Sequence, residues 1–384
     1  MQISRIVFCA GEDSGDILGE ILVREAVRRG YSAVGAGGQR MQLSGLELLV
    51  DYENLPVSGY LDVFLRIKSL SKARKILESV LREDDCVALV CIDYPGFNMR
   101  LCSLAKSLGK PVLYVAPPQV WAWKSYRAKK LKEVSLAVLF DFEQKNYQQH
   151  GCRSSLLKHP LVQFVNQADE NSEIVANPKK LLLLPGSRKS QALRNLNFYM
   201  DIVSKYREQN PEITVTVLAS REPLVDAFRN KIQKRYGESI PTWIDLKVSP
   251  LSSEARLRLI ASYGMALSAP GSSTLEVALA KVPVVVTSIV DFLTFAFGKL
   301  FVRTRLFSLP NIILHSRVVP ERLYCAPFCF LNKGRLERNV DSIVRDLEST
   351  SKVDAVRISS MLASRLAAGK SMDSLMSEFL GKLV

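Results

Sequence analysis

The chain has 384 residues, 47% hydrophobic and 23% charged, a size that suits two ordinary domains and a composition that excludes a disordered chain. Its formal charge of +14 favours partners that carry phosphate, whether nucleic acid, anionic lipid or a phosphorylated metabolite, without choosing among them. The seven cysteines are scattered and form no CxxC pair, which excludes a disulfide scaffold and fits reduced, structural thiols of the cytosol.

In chain order, the apolar run Ile6–Ala10 predicts a strand and Ile17–Arg29 a helix. The run is too short for a secretory signal and is followed by acids. No uncharged apolar stretch reaches the roughly 18 residues of a membrane span. Val87–Ile92, Val112–Ala116 and Ala137–Phe140 predict further strands, with a helix over Phe97–Leu108. They are continuously apolar, as parallel strands covered on both faces are. The polar stretch Asn166–Lys179 reads as a linker. Alternation resumes with strands at Leu181–Leu184, Thr214–Leu218, Leu246–Val248, Met265–Ala269 and Val284–Thr287, and the chain is mainly helical after Pro310. The expected fold class is α/β: two Rossmann-like doubly wound parallel sheets facing a cleft. The expected domains are residues 1–165, residues 166–345, and helices over 346–384 that pack back toward the first domain.

Ligands of open α/β sheets bind beyond the carboxyl ends of strands, where loops feed helix N-termini. The first such loop, Gly11-Glu12-Asp13-Ser14-Gly15-Asp16, lacks the G-x-G-x-x-G spacing, and its acids would repel a pyrophosphate. Two readings stand: Ser14 or Asp13 caps the helix, or Glu12 and Ser14 bind sugar hydroxyls. Asp93 ends the apolar strand, where desolvation suits a general base. Asn98 follows it closely. Trp121 and Trp123 lie beside Lys124 and either stack on sugar faces or simply pack.

Gly186, Ser187 and Arg188 follow the Leu181–Leu184 strand, and a helix start with an arginine makes an anion clamp. Gly271, Ser272, Ser273 and Thr274 form a small, hydroxyl-rich loop suited to a diphosphate, and Glu276 stands one turn on. Glu276 either accepts from ribose hydroxyls or closes a capping box with Ser273. The three histidines, His150, His159 and His315, have no metal-ligand spacing, and neither a nucleophile elbow nor a nucleic-acid motif occurs. No metal, cofactor or nucleic acid is therefore expected.

Two basic, apolar segments suit a membrane surface. One is Leu61–Arg82, with Phe64 among Lys72, Arg74 and Lys75; the other contains Phe292, Phe295 and Phe297. The alternative for each is an ordinary core helix with a solvated face.

Taken together, these loops resemble the lipid-A-disaccharide synthase family. Its Ala-Gly-Glu-x-Ser-Gly-Asp matches Ala10 to Asp16, Ile-Asp-x-Pro-x-Phe-Asn matches Ile92 to Asn98, and Val-Trp-Ala-Trp matches Val120 to Trp123. Leu-Pro-Gly-Ser-Arg matches Leu184 to Arg188, and Gly271 to Glu276 approximates Gly-Thr-x-Thr-Leu-Glu. Two late motifs match Ser308 to Asn311 and Val319 to Glu321. Departures fall at Pro118, Gln119, Lys124, Lys158, Thr287, Ser288 and Tyr324.

The resemblance implies a GT-B fold and an inverting transfer without metal or cofactor. UDP-2,3-diacylglucosamine would be joined to 2,3-diacylglucosamine 1-phosphate, giving a β-1,6-linked disaccharide 1-phosphate and UDP. It implies Asp93 as base. The donor would be held by Gly186, Ser187, Arg188, Gly271, Ser272, Ser273, Thr274, Glu276 and Asn311. Glu12, Ser14, Gly15, Asn98, Trp121 and Trp123 would lie on the acceptor side. Acylated substrates imply peripheral attachment to the cytoplasmic face of the bacterial inner membrane, and a homodimer is compatible with this reading. The rivals are another GT-B enzyme acting on a UDP-amino sugar, a transferase or epimerase, and a non-catalytic basic protein of membranes or nucleic acid.

Overall fold

The computed structural model describes residues 3–52, 67–121, 125–163, 165, 175–237, 239–292, 305–326, 328 and 333–383. They form two compact units, one running to Pro160 and resuming at Leu366, the other running from Leu161 to Arg365.

The first unit runs β1 (Arg5–Ala10), α1 (Asp13–Arg28), β2 (Ser32–Gly37), α2 (Gln39–Leu43), β3 (Leu46–Asp51), α3 (Ile67–Arg82) and β4 (Cys86–Ile92). It continues with α4 (Pro95–Ser107), β5 (Val112–Val115), a 3-10 segment over Ser125–Leu131, β6 (Ser135–Val138), α5 (Asp141–Gln149) and β7 (Ser154–Leu156). The sheet order is β3-β2-β1-β4-β5-β6-β7, with every pairing parallel. Residues of β1 and β4 are buried on both faces, as their unbroken apolar runs require.

The second unit runs β8 (Asn177–Leu184), α6 (Lys189–Gln209), β9 (Thr214–Ala219), α7 (Glu222–Tyr236), β10 (Ile244–Val248), α8 (Ser253–Ala261) and β11 (Tyr263–Ser268). There follow α9 (Ser272–Leu279), β12 (Val284–Asp291), α10 (Leu309–Leu314), β13 (Glu321–Ala326), α11 (Lys333–Glu348) and α12 (Lys352–Leu366). Its parallel sheet has the order β10-β9-β8-β11-β12-β13.

The fold class is the expected α/β one, with two parallel sheets and a helical C-terminal segment. Some boundaries differ. The end of the polar stretch read as a linker is already strand: Asn177 to Lys180 begin β8 with exposed side chains, so their composition carries no apolar signal. The C-terminal helices do not stay together. Helix α12 lies within the second unit as far as Arg365, whereas α13 (Met372–Leu380) packs in the first. There Met372, Leu375, Met376, Phe379 and Leu380 join the core against α1. Ser377 donates to Glu25 over 2.7 Å and accepts from Arg29 over 2.7 Å. The segment before α13 pairs with the edge of the first sheet through Lys158 N–H to the Lys370 carbonyl (2.8 Å) and Lys370 N–H to the Leu156 carbonyl (2.9 Å).

Candidate functional site

In the first sheet the strand order reverses between the neighbours β1 and β4, and the loops after these strands flank that switch point. Asp93 follows β4 directly. It has φ 47° and Tyr94 has φ 48°, a left-handed conformation that costs a non-glycine residue about 1–3 kcal/mol. Neighbouring groups impose it. The side-chain amide of Asn98 donates to the carbonyls of Asp93 (2.8 Å), Cys9 (3.1 Å) and Ile92 (3.3 Å). The Tyr114 hydroxyl donates to the Asp93 carbonyl over 2.8 Å, and the Asp93 N–H donates to the Val115 carbonyl over 3.0 Å. Asn98 is wholly buried. Its side-chain nitrogen is engaged by the backbone around Asp93.

Glu12 is the residue ahead of α1, and no side chain caps that helix, so neither Ser14 nor Asp13 is the cap that one reading expects. Glu12 and Ser14 are half-exposed and Gly15 is buried. Asp16 is buried and accepts from the N–H groups of Gly38 (2.8 Å), Arg40 (3.0 Å) and Met41 (3.2 Å), capping α2. Gly11 is required for close approach: a Cβ there would lie 2.4 Å from the Tyr94 ring. The loop thus seats Tyr94, and with it Asp93.

Beyond β5 and β6 lies an aromatic cluster. Trp121 meets Phe142 edge-on at 5.1 Å, and Phe142 stacks on Phe140 at 5.4 Å. Trp123 lies outside the described residues. Within this cluster stands Glu143, which no motif of the sequence marks. It is 5% exposed, and burial pushes its carboxyl group up to about 7. Its sequence signal is an acid in the first turn of the helix that follows an apolar strand.

In the second sheet the order reverses between β8 and β11, and the two phosphate-loop candidates follow these two strands. The Ala269 N–H donates to the Leu184 carbonyl over 2.8 Å, joining the loops at their roots. Gly186 (φ 115°) and Gly271 (φ 144°) take conformations that glycine reaches without strain, and each leads into a helix start. Ser187 and Arg188 are half-buried, and Arg188 is the N-cap residue of α6. Asn195, fully buried, donates to the Pro185 carbonyl (2.8 Å) and accepts from Ser288 (3.1 Å) and the Ile289 N–H (2.9 Å). Ser288, one of the departures from the family motif, therefore supports the loop.

Ser272 is exposed at the start of α9. The Thr274 hydroxyl donates to the Gly271 carbonyl over 2.7 Å and serves the turn. The capping box of Ser273 with Glu276 does not form, because Gly271 is the cap and carries no side chain. Glu276 instead receives Arg256 over 2.8 Å, and Arg256 also approaches Ser273 and Ser249. Arg256 lies mid-helix in α8 with no motif around it, so the sequence does not reveal it. Asn311 is buried, with its amide tied to Val319 (2.9 Å) and accepting from the N–H groups of Val318 (2.7 Å) and Val319 (2.9 Å). It pins the 311–319 loop.

Of the basic segments, α3 sends Ala73, Leu77 and Val80 into the core and leaves Lys72 and Lys75 exposed, while Arg74 pairs with Glu78 over 3.1 Å. Over 67–82 it is thus the core helix with a solvated face. Phe64, Phe295 and Phe297 lie outside the described residues. Phe292 is 50% exposed and packs edge-on against Phe328 at 5.6 Å. Among the described residues no helix is long and apolar enough to cross a membrane, and no three His, Cys, Asp or Glu side chains gather to hold a metal ion.

Residues 6–328 match the family model of the lipid-A-disaccharide synthetases. A lipid-A-disaccharide synthase of Geobacter sulfurreducens is 33% identical over 328 residues, 83% of each chain. The synthase of Nitrosococcus oceani is 33% identical over 82% of each chain, and that of Coxiella burnetii 29% identical over 84% of this chain and 85% of its own. The fold is shared with S. aureus MnaA, solved with UDP (TM-score 0.61, 11% identity, 100% of this chain and 98% of that one). It is also shared with UGT89C1 of Arabidopsis thaliana complexed with quercetin (TM-score 0.60, 10% identity, 100% of both chains).

Proposed function

The chain belongs to the lipid-A-disaccharide synthase family and is a glycosyltransferase that forms the lipid A disaccharide; from that premise we propose that Asp93 is its general base and that the loops after β8 and β11 hold the departing nucleoside diphosphate. The donor is UDP-2,3-diacylglucosamine and the acceptor 2,3-diacylglucosamine 1-phosphate. The acceptor's 6-hydroxyl gives its proton to the Asp93 carboxylate as its oxygen bonds the anomeric carbon from the face opposite UDP. The bond from that carbon to the diphosphate breaks, and its electron pair leaves with UDP. The transition state is oxocarbenium-like, so the main demands are a placed base and charge stabilisation on the leaving oxygens. The UDP-sugar is a substrate, and the scheme uses neither metal nor cofactor.

One observation carries the base assignment: Asp93 sits at the switch point in a strained backbone conformation that Asn98 and Tyr114 enforce. Strain maintained this way is a mark of functional loops. For the diphosphate, Arg188 and the N-termini of α6 and α9 present positive charge and N–H groups at the other sheet's switch point. Glu12 and Ser14 hydrogen-bond the acceptor sugar, and Trp121 stacks on it.

The acylated substrates place the enzyme on the cytoplasmic face of the inner membrane, with Phe292 and Phe328 inserting and Lys72 and Lys75 attracting anionic headgroups.

The test is a product assay with both acylated substrates. Disaccharide 1-phosphate and UDP should appear in equal amounts, and Asp93→Asn should lower turnover by about a hundredfold or more with UDP affinity kept. Absence of the disaccharide, or near-normal turnover in Asp93→Asn, refutes the reading.

A further inference from the structure

Asp93 and Tyr94 are consecutive left-handed residues, with φ 47° and 48°. The peptide that joins them is held at both ends. Its carbonyl, that of Asp93, accepts from the Asn98 amide and from the Tyr114 hydroxyl, each over 2.8 Å. Its other end carries the Tyr94 ring, which lies against Gly11, the residue after β1. A Cβ on Gly11 would stand 2.4 Å from Cγ, 2.5 Å from Cδ1 and 2.9 Å from Cδ2 of that ring. These are the ring atoms nearest the backbone, so a movement of the far end of the side chain would not clear them. Phe97, in the first turn of α4, stacks on the same ring, with centroids 5.6 Å apart and planes at 26°.

Starting the helix does not require this ring. Tyr94 is the N-cap residue of α4, but no side chain caps that helix. The Tyr94 carbonyl receives the N–H groups of Phe97 (3.1 Å) and Asn98 (3.0 Å), which any residue could do. Local preference runs against the observed backbone. Pro95 follows, and a residue before proline favours an extended conformation, while a left-handed aromatic residue is strained. The family motif Ile-Asp-x-Pro-x-Phe-Asn leaves this position open, so the ring is a feature of this chain. We propose that Tyr94 is a positioning residue of the transfer reaction, whose ring, packed against Gly11 and Phe97, locks the turn that aims the Asp93 carboxylate. The proposal rests on the reading of Asp93 as the base.

A general base acts only from within hydrogen-bond reach of the proton it takes. The partners of the Asp93 carbonyl fix one end of the peptide, but the direction of the Asp93 side chain also depends on how the chain leaves Tyr94. Without the ring, Tyr94 relaxes toward the extended backbone that Pro95 favours. Helix α4 cannot follow, because Phe97, Leu101 and Cys102 anchor it in the core. The shift therefore falls on Asp93 and turns its carboxylate from the productive position. Packing alone would act differently: loss of the ring would lower stability, and the enzyme that still folds would turn over normally.

The experiment measures kcat, acceptor KM and UDP affinity in full-length variants, with circular dichroism to check folding. Tyr94→Ala should lower kcat by about tenfold to a hundredfold, with KM changed less and UDP affinity kept. Tyr94→Phe keeps the ring and should restore kcat. Gly11→Ala should lower kcat by the same order, because its Cβ displaces the ring. Gly11→Ala combined with Tyr94→Ala should lose no more than Tyr94→Ala alone, because the second substitution vacates the space that the new Cβ needs. Losses at independent sites multiply, whereas those of residues in contact do not. Normal kcat in folded Tyr94→Ala, a loss in Tyr94→Phe as large as in Tyr94→Ala, or losses that multiply in the double variant each overturn the proposal. If Tyr94→Ala does not fold, Gly11→Ala decides, and normal kcat there overturns it. Asp93→Asn separates the two readings. Near-normal turnover in it removes Asp93 as base and the proposal with it, whereas an inactive Asp93→Asn beside a normal Tyr94→Ala removes the positioning role alone.

Discussion

The guanidinium of Arg256 donates to the Glu276 carboxylate over 2.8 Å, with the two side chains 13% and 4% exposed. Removing one partner of a buried pair strands the other charge, at about 3–5 kcal/mol. Glu276→Ala should therefore destabilise the protein by about 3 kcal/mol in denaturant unfolding. Arg256→Met combined with Glu276→Leu should recover most of that. Equal losses in the single and double variants would mean the pair contributes through packing alone.

Arg188 is the N-cap residue of α6, at the helix end where an anion gains from the dipole. Arg188→Ala should weaken UDP binding in calorimetry by about 1.5–3 kcal/mol. Thr274→Val should barely change it, because that hydroxyl already serves the Gly271 carbonyl. Comparable losses in both variants would argue that the loop's folding, not a charge contact, governs affinity.

How far these sites were legible depended on which force placed each residue. Buried parallel strands such as β4 announce themselves by apolar runs, and the residue after each run, Asp93 or Gly186, is found by counting. Others do not. The edge strand β13 is half-exposed, and the inner strand β2, with the sequence SAVGAG, is too small in side-chain volume to stand out. Side chains that face inward to hold another residue are hidden further. Nothing in the sequence separates Asn98 and Asn311, which pin backbone, from amides that would meet a ligand. Arg256 is visible only once α8 is folded beside α9. The departure at Ser288 becomes intelligible as the hydroxyl that answers Asn195.

The Asn98 side-chain NH2, shared among the carbonyls of Asp93, Cys9 and Ile92, ties the Asp93 backbone to β1 and holds its left-handed conformation. Asn98→Ala should lower stability by about 1–3 kcal/mol and, on the proposed role of Asp93 as base, reduce kcat more than it raises KM, because Asp93 loses its position while the substrate-binding loops remain. Tyr114→Phe removes one of these supports and should show the same pattern at about 1 kcal/mol. A change in KM alone would move Asn98 back among the direct substrate contacts.

His159 is buried, and burial holds its imidazole down to about 4. Between its ordinary value of 6.5 and that folded value, the unfolded chain takes up a proton that the folded chain does not. Stability should fall as pH drops through this window, by at most about 3 kcal/mol. Glu143 has the opposite sign: its raised value means that stability is lost as pH rises from 4.5 toward about 7. Thermal unfolding of His159→Gln should lose the acid-side decline, and that of Glu143→Gln the opposing one. A His159→Gln curve that declines on the acid side like the wild type would assign the acid sensitivity elsewhere.

Phe292 and Phe328 are 50% and 44% exposed and touch each other at the carboxyl ends of β12 and β13, an arrangement that leaves apolar area in water. Lys72 and Lys75, on the solvated face of α3, supply charge but no apolar surface, since Leu77 and its neighbours are in the core. On the proposed membrane reading the two features contribute separable parts of the binding. Each well-placed cation adds about 1 kcal/mol near an anionic surface, and salt screens that part. Insertion of the aromatic pair is not screened. Lys72→Glu with Lys75→Glu should lower binding to vesicles containing anionic lipid and flatten its salt dependence. Phe292→Ser with Phe328→Ser should lower the fraction that survives high salt. In detergent, where the acylated substrates are already dispersed, both double variants should keep most of their activity. Vesicle binding indifferent to salt and to all four substitutions would place the membrane contact on other parts of the chain.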